Sequence, residues 1–404
     1  MLRASLAVVV LLGCRHAAHA QDNSPPPPGA LGLAPGEAPG EPARIEALGT
    51  AAARELRAGP KRREQAVALL RAYRDATTEP HERAWADAEL EALGPAGAVG
   101  REAPTRRVGL LVPLSGKLRP VGERLLEGAL LAAERVVVEI ADTQSDAARA
   151  ADEADRLKDT YALVGPAARG ELDAVRARQT STPILPLIAG EALPSGVERV
   201  RSLLAAARRA APHVRRFAVL APTGGTADEM VAALRGGGSE VVIEARYAPG
   251  ATQFSGPIAD IAKAVPDAVL VADTADQLAL IAPALAAAGL WPLPGPPPRT
   301  AGRGVLLLAT AEGASPKLVE QAGRYLQGAL LAPGFFPDPD DPTCGPFVAR
   351  FTQAYGRAPG PWEAFAYEAV RAVAAARTPA EAAAWRSRWP VVYRVDGRDV
   401  RAVR

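Results

Sequence analysis

The sequence is poor in cysteine, histidine and aromatic residues, which supply many of the groups used in catalytic and metal sites. Its two cysteines, Cys14 and Cys344, are far apart in the chain, and we expect no disulfide. The four histidines show no metal-ligand spacing, and no pattern places two carboxylates in one site. We therefore predict no catalytic residue, no metal and no cofactor, and we interpret the protein as non-enzymatic.

The chain also lacks a strong charge of either sign. Lys and Arg total 47 against 45 Asp and Glu, which gives a formal net charge of +2 at pH 7. No basic run alternates with stacking aromatic residues, so we expect no nucleic-acid partner. Because aromatic residues make up only 5% of the chain, Leu, Val and Ala have to fill the core, and 404 residues are enough for two or three domains.

The apolar run near the N-terminus, residues 4–12, is too short for a permanent membrane span. This run follows Arg3, and the two together predict a targeting leader over residues 1–20. Two processing sites compete. "LLGC" ends at Cys14 and resembles a bacterial lipobox, whereas "AHA", residues 18–20, resembles an ordinary signal-peptidase site. We favour lipidation of Cys14, which predicts a lipid-anchored periplasmic protein, and Arg15 directly after it favours the outer membrane.

Two further segments precede the main body of the chain. Residues 21–43 are rich in Pro and Gly and predict an extended tether. Residues 44–95 carry apolar side chains at helical spacing, with breaks at "AGP" and "TTEPHERA", and predict three short helices that resemble a fragment of a helical repeat. We interpret residues 93–105 as a linker.

From residue 105 to 404, short apolar strands alternate with amphipathic helices, which predicts an α/β fold with parallel sheets. The opening unit, "VGLLVPLSGK", superficially resembles a phosphate loop, but Leu118 stands where that motif requires Ser or Thr. We expect the strands at residues 108–112, 136–141, 162–164, 184–188, 217–220, 241–247, 268–271, 305–309 and 328–332.

The ordered stretches "VGLLVPLSG", "VEIADTQSD", "ALVGPA" and "TPILPLIA" resemble type I periplasmic binding proteins of the leucine-binding kind, and "FAVLAPTGG" with "DAVLVA" resembles their second lobe. The resemblance covers the chain from about residue 106 to the end and implies a two-lobed fold with parallel sheets around a cleft. A helical segment before this fold, behind a lipobox, is more specifically similar to penicillin-binding-protein activator lipoproteins.

The resemblance also implies where a ligand would sit, since such folds bind ligands beyond the carboxyl ends of their strands. The implied cleft residues are Ser115, Gly116, Asp142, Thr143, Ala167, Ala168 and Arg169 in the first lobe and Thr223, Gly224, Asp273 and Thr274 in the second. For Ser115 and Asp142, a role in a turn or at a helix start is an open alternative.

The amino-acid binders of this family hold the ligand carboxylate with Ser or Thr hydroxyls and the ammonium with an acidic residue. Here Ala167 and Ala168 replace the first hydroxyls, and Leu187, Ile188 and Ala189 replace the second. Because an apolar wall leaves a zwitterion's charges uncompensated, we expect free leucine, isoleucine and valine not to bind.

Two functions follow from these patterns. The first is a non-enzymatic lipoprotein that activates a peptidoglycan synthase through protein contacts. The alternative is the substrate-binding lipoprotein of an ABC transporter, with a small-molecule ligand and a permease as partners. A hydrolase is a more distant third interpretation.

Overall fold

The computed structural model describes residues 41–57, 62–93, 106–133, 136–178, 181–224, 227–292 and 303–403. The chain divides into two compact units: unit 1 runs to Ile188 and includes Ala366–Trp385, and unit 2 comprises Ala189–Phe365 and Arg386–Arg404. The predicted leader, its Cys14 and all but the first residue of the predicted linker at 93–105 lie outside the described residues, as does the tether up to residue 40.

Three helices open the described chain, as the apolar spacing predicts: α1 (Glu41–Arg57), α2 (Arg63–Ala76) and α3 (Pro80–Leu93). Helix α1 begins inside the segment predicted as tether. The rings of Tyr73 and Trp85 meet edge to face with centroids 5.6 Å apart. Gly49 lies under the Tyr73 ring, where an added Cβ would stand 2.7 Å from the ring carbon. The helices therefore share a packed core of their own.

Unit 1 holds a four-stranded parallel sheet of β1 (Arg106–Val112), β2 (Val136–Asp142), β3 (Ala162–Val164) and β4 (Ile184–Leu185), in the order β2-β1-β3-β4. Its connecting helices are α4 (Arg119–Ala132), α5 (Ala147–Arg156) and α6 (Arg169–Arg178). Strand β1 lies between β2 and β3 and runs parallel to both, so the loops that follow these three strands lie side by side at one edge of the sheet.

The helical segment covers the β2 edge of this sheet. Gln65 of α2 donates from Nε2 to the Val138 carbonyl (3.3 Å) and accepts from the Val138 N–H at Oε1 (3.0 Å), as a neighbouring strand would. Arg62 donates to the Leu130 and Ala133 carbonyls at the end of α4. Edge strands need such protection because their open groups invite pairing with another chain. The segment is therefore an integral part of unit 1.

We expect Gln65→Ala to lower the free energy of unfolding by about 1–3 kcal/mol, because it leaves a buried N–H and a buried C=O of Val138 without partners. Urea denaturation measures the change. The matched control is Gln353→Ala, on an exposed position of a later helix, which we expect to change stability by less than about 0.5 kcal/mol. Equal effects of the two substitutions would contradict this account of Gln65.

Unit 2 contains an eight-stranded sheet. Its parallel part is β5 (Arg216–Pro222), β6 (Glu240–Tyr247), β7 (Ala268–Val271), β9 (Arg303–Ala309) and β10 (Leu330–Leu331), in the order β10-β9-β7-β5-β6, and β8 (Leu290–Pro292) also pairs with β9. The hairpin of β11 (Tyr393–Asp396) and β12 (Asp399–Ala402) extends the sheet antiparallel beyond β10, with Gly397 in the turn between the two strands.

Both faces of this sheet are covered, as its unbroken apolar strands predict. On β7, Val269 and Val271 pack into one buried cluster and Ala268 and Leu270 into another, since successive side chains point to opposite faces. The covering helices are α7 (Gly196–Ala210), α8 (Ala227–Gly236), α9 (Ser255–Ala264), α10 (Ala275–Ala287) and α11 (Pro316–Ala322).

The C-terminal helices are α12 (Gly345–Tyr355), α13 (Pro361–Ala375) and α14 (Pro379–Ala383). Helix α12 follows a stretch rich in Asp and Pro, residues 337–342. Asp341 accepts hydrogen bonds from the Thr343 and Cys344 N–H groups just before it. Cys344 is buried and free, and burial raises the pKa of its thiol to about 11. In the described part of the chain, no helix is both long and apolar enough to cross a bilayer.

Candidate functional site

At the strand edge of unit 1, Asp142 ends β2 and organises the turn that follows β1. Its Oδ1 accepts hydrogen bonds from the N–H groups of Leu114 (2.8 Å), Ser115 (3.2 Å) and Gln144 (2.9 Å), and its Oδ2 accepts one from the Ser115 hydroxyl (2.7 Å). The residue is only 4% exposed. The sequence left open whether Ser115 and Asp142 contact a ligand or have a role in a turn or at a helix start. These hydrogen bonds are those of a turn.

Gly116 allows the loops after β1 and β2 to touch. It has φ +75°, and an added Cβ would stand 2.4 Å from the Gln144 carbonyl oxygen. The Ser145 hydroxyl, between the same loops, donates to the Ser115 carbonyl (3.1 Å) and accepts from the Leu118 N–H (3.0 Å). The predicted residues Ser115, Gly116 and Asp142 are therefore one rigid cluster.

A buried carboxylate that the sequence analysis did not single out lies beside this cluster. Glu171, in the first turn of α6, is 3% exposed, and its Oε1 accepts a hydrogen bond from the Thr143 hydroxyl (3.1 Å). Its Oε2 has no hydrogen-bond partner among the described residues. Burial raises the pKa of Glu171 to about 7; Asp142 and Asp146 act in the same direction, whereas the Thr143 hydroxyl and Lys117 oppose them.

Since folding raises the pKa of Glu171 from 4.5 to about 7, its protonated form contributes stability that is fully present below pH 4.5 and is lost as the pH rises through about 7. Glutamine does not titrate in this range. We therefore expect the free energy of unfolding of Glu171→Gln, relative to wild type, to be roughly 2–3 kcal/mol higher at about pH 8 than at about pH 5. Urea denaturation at both pH values measures this gain. Glu320→Gln, at an exposed glutamate of α11, is the control; parallel behaviour of the two variants would contradict the prediction.

The remaining predicted residues of unit 1 precede α6. Ala167 and Ala168 are half-buried. The Ala168 carbonyl accepts a hydrogen bond from the Leu172 N–H at the start of α6, but its methyl side chain cannot cap the helix. Arg169 is exposed. The hydroxyls that the resemblance implies for amino-acid binders are thus replaced by methyl groups, and an acidic residue, Glu171, follows in the first turn of the same helix.

In unit 2, the predicted Gly224, Asp273 and Thr274 line one pocket of about 170 Å³. It lies beyond the carboxyl ends of β5, β7 and β9. Its other lining residues, which the sequence analysis did not name, are Pro222, Ala227, Met230, Ala272, Thr310 and Glu312. Thr223 is exposed next to this pocket and donates its N–H to the Tyr247 carbonyl (2.8 Å).

The Asp273 residue is half-exposed, and two donors of the protein hold its carboxylate in place. Oδ2 accepts from the Tyr247 hydroxyl and Oδ1 from the Thr274 N–H, both at 2.7 Å. Burial and the bond to Asp273 raise the pKa of Tyr247 above its ordinary value, so its hydroxyl stays a donor at neutral pH. Within the described residues, no Lys or Arg forms an ion pair with Asp273. It therefore presents a negative charge with free lone pairs.

Glu312 carries a second carboxylate of the pocket, but a cation balances it. Arg199 is only 8% exposed, and its guanidinium donates to Glu312 Oε1 and also to the Ala332 carbonyl (3.4 Å). Because Arg199 offsets Glu312, the net charge of the pocket is the one on Asp273. Such a pocket favours a cationic group over an anionic one.

The described residues contain no group of three or more His, Cys, Asp or Glu side chains placed to hold a metal ion. The polar groups described above are suited to binding by hydrogen bonds and charge.

A family model described as periplasmic binding protein matches residues 105–384. No curated protein matches the chain.

Solved structures share the fold at low sequence identity. A protein assigned as a branched-chain amino acid ABC transporter from Rhodospirillum rubrum has a TM-score of 0.60 at 20% identity, over 74% of this chain and 100% of that one. The substrate-binding protein LivJ of Streptococcus pneumoniae, in complex with isoleucine, has a TM-score of 0.51 at 17% identity, over 74% and 98%. A branched-chain amino acid ABC transporter ligand-binding protein from Burkholderia xenovorans has 0.54 at 18%, over 69% and 80%.

Proposed function

The chain belongs to the periplasmic binding protein family, and on this premise we propose that it is a solute-binding protein of the cell envelope whose ligand carries a positively charged, hydrogen-bond-donating group. The observation that carries the proposal is the Asp273 carboxylate. It is fixed by Tyr247 and Thr274, half-exposed, and without an ion-pair partner among the described residues. A hydrogen bond from a cationic donor of a ligand to such a carboxylate is stronger than one from a neutral donor.

The size of the pocket fits this proposal. About 170 Å³ is smaller than the usual pocket of a drug-sized ligand and suits the head group of a small solute. Thr310 is 1% exposed and holds the Asp273 carbonyl through its hydroxyl (3.0 Å). The wall behind the carboxylate is therefore fixed before a ligand arrives, which reduces the entropy that binding has to overcome.

The solute-binding role is preferred to activation of a peptidoglycan synthase. The comparable structures are transport binding proteins. Recovery of a permease with the full chain would support the transport role, and recovery of a synthase would support the regulator.

We also propose that Cys14 is lipidated and tethers the protein to the membrane on its periplasmic side. Expressed as the full chain in a Gram-negative host, Cys14→Ser is expected to move the protein from the membrane fraction to the soluble periplasm, since it removes the acyl chains. Cys344→Ser is the matched control and leaves the distribution unchanged. A wild-type protein that is soluble and begins at Gln21 would overturn the anchor.

Thermal unfolding in the presence of small molecules tests the solute-binding proposal. A ligand at about 100 times its Kd stabilises the folded state by about 2.7 kcal/mol, which raises Tm by several degrees. We expect at least one amine-containing compound of a broad metabolite panel to do so. If no compound at millimolar concentration shifts Tm, the proposal fails.

A further inference from the structure

Four arginines lie together at the end of unit 2 where its parallel strands begin. Arg208 and Arg209 are in the last turn of α7. Arg215 directly precedes β5, and Arg216 is its first residue. Arg208, Arg209 and Arg215 are exposed, and Arg216 is half-buried. In the described part of the chain, no carboxylate forms an ion pair with any of these four guanidinium groups.

Two of the four arginines hold the ends of neighbouring helices. The Arg208 guanidinium donates to the Gly237 carbonyl, just after α8. The Arg216 guanidinium donates to the Ala264 and Val265 carbonyls at the end of α9, both at 3.0 Å. Cations are stabilising at the C-terminal ends of helices, where carbonyls lack partners. These two side chains therefore have a role in the fold, and their bonds bring the ends of α7, α8 and α9 to the start of β5.

The side chains of Arg209 and Arg215 have no such role. Neither donates a side-chain hydrogen bond to another described residue. Two carboxylates share this end of the unit: Asp267 accepts from the backbone N–H groups of Arg215 (3.1 Å) and Arg216 (3.0 Å), and Glu240 is exposed at the start of β6. Other charges of the neighbouring helix ends are already paired, Lys263 with Asp260 and Arg235 with Glu244. Positive charge is therefore in excess here.

An exposed apolar side chain lies beside these arginines. Val265, whose carbonyl accepts from Arg216, is 41% exposed. Its backbone is left-handed, with φ 51° and ψ 58°, a conformation that is much less favourable for a β-branched residue than for Asn or Gly. Backbone strain of this kind is found where a position serves a function. We name Arg208, Arg209, Arg215, Arg216 and Val265 the basic surface.

We propose that the basic surface binds an anionic membrane, with guanidinium groups on lipid phosphates and Val265 at the boundary between the head groups and the acyl chains. A guanidinium donates two parallel N–H bonds to a phosphate. A membrane offers phosphates and, about 5–10 Å below them, an apolar phase. Adjacent cations and a fixed apolar side chain match this combination.

The solute pocket lies beyond the carboxyl ends of the strands of unit 2, whereas the basic surface lies at their amino ends. Binding to a membrane therefore leaves the pocket open to a solute. The inference is independent of the proposed solute-binding function, and either one can fail without the other.

Co-sedimentation with vesicles tests the inference. The protein is the full chain with Cys14→Ser, so that no acyl chain contributes, and the vesicles are phosphatidylcholine alone or with about 40% phosphatidylglycerol. At about 0.01 M salt we expect at least about tenfold tighter binding to the anionic vesicles. The affinity is expected to fall several-fold at about 0.15 M salt, where the screening length decreases from about 30 Å to about 8 Å. Equal binding to both kinds of vesicle, or binding to neither, would overturn the inference.

A double substitution locates the binding. Arg209→Gln with Arg215→Gln removes two charges without removing a described side-chain contact, and we expect it to weaken binding to the anionic vesicles about 10- to 30-fold, since each arginine near such a surface contributes about fivefold. The matched control is Arg394→Gln with Arg401→Gln, two exposed cross-strand neighbours of the terminal hairpin. It changes the net charge equally and is expected to weaken binding less than about threefold. Equal losses in the two variants would show an effect of net charge alone and contradict the inference.

Val265→Asn separates membrane contact from a structural role. Because Asn tolerates the left-handed backbone, this variant is expected to unfold at a higher urea concentration, yet to bind anionic vesicles about threefold more weakly. Unchanged binding would contradict the contact of Val265 with lipid. Binding to poly-glutamate without binding to anionic vesicles would assign the basic surface to an acidic protein and overturn the inference.

Discussion

Asp142→Ala is expected to lower the free energy of unfolding by about 3–5 kcal/mol, the largest effect of any single substitution considered for unit 1. The carboxylate is 4% exposed and accepts four hydrogen bonds, three of them from backbone N–H groups. Its removal leaves those donors unpaired, and each one that stays buried costs about 1–3 kcal/mol before the loop relaxes. Urea denaturation monitored by circular dichroism measures the loss.

The control is Asp142→Asn, which keeps an oxygen for the Leu114, Ser115 and Gln144 N–H groups and presents an amide to the Ser115 hydroxyl, which can turn to accept. We expect it to cost about 1–2 kcal/mol, clearly less than alanine. If alanine is as well tolerated as asparagine, the carboxylate does not hold the turn, and Asp142 would again be a candidate for direct ligand contact.

Asp273→Asn is expected to weaken binding of an amine-containing ligand about 10- to 100-fold. The substitution keeps the hydrogen bond from the Thr274 N–H and the shape of the side chain, but it removes the negative charge of the pocket. A charge-assisted hydrogen bond contributes about 1.5–3 kcal/mol, which corresponds to this range of affinity. Calorimetric titration with the ligand found by the thermal screen gives the ratio.

Asp228→Asn is the matched control for Asp273. Asp228 is an exposed aspartate of α8 that pairs with Arg246 in the same unit. It carries the same charge as Asp273, so a long-range electrostatic effect would weaken binding similarly in both variants. Loss of affinity in Asp273→Asn alone locates the effect in the pocket, whereas equal losses would remove Asp273 from the account.

The parallel sheets could be predicted from the sequence because their strands are short, fully apolar and bounded by polar residues. Strands β3 and β7 have the predicted bounds. The N-terminal helices were also predicted, since their apolar residues recur at helical spacing. Helix α12 was not, because its start follows a stretch rich in Asp and Pro, and the capping contacts of Asp341 are visible only in three dimensions.

The candidate site could be predicted only in part. The rule that ligands meet strand ends led to Asp273 after β7, and applied to β9 it would also have led to Thr310 and Glu312. Glu171 could not be found in this way, because it lies within a helix, and only the folded chain brings it to Thr143, 28 residues earlier in the sequence. Likewise, only the distance from Asp142 to the Ser115 hydroxyl identifies both as parts of one turn.

The central claim is that the protein binds a small cationic solute through Asp273. Native mass spectrometry of the full chain, purified without denaturation and incubated with a small-molecule extract of its host, tests this claim most directly. We predict an additional mass from a nitrogen-containing compound that is retained in Asp228→Asn and lost in Asp273→Asn. Spectra that show only the mass of the polypeptide in every preparation would contradict the claim.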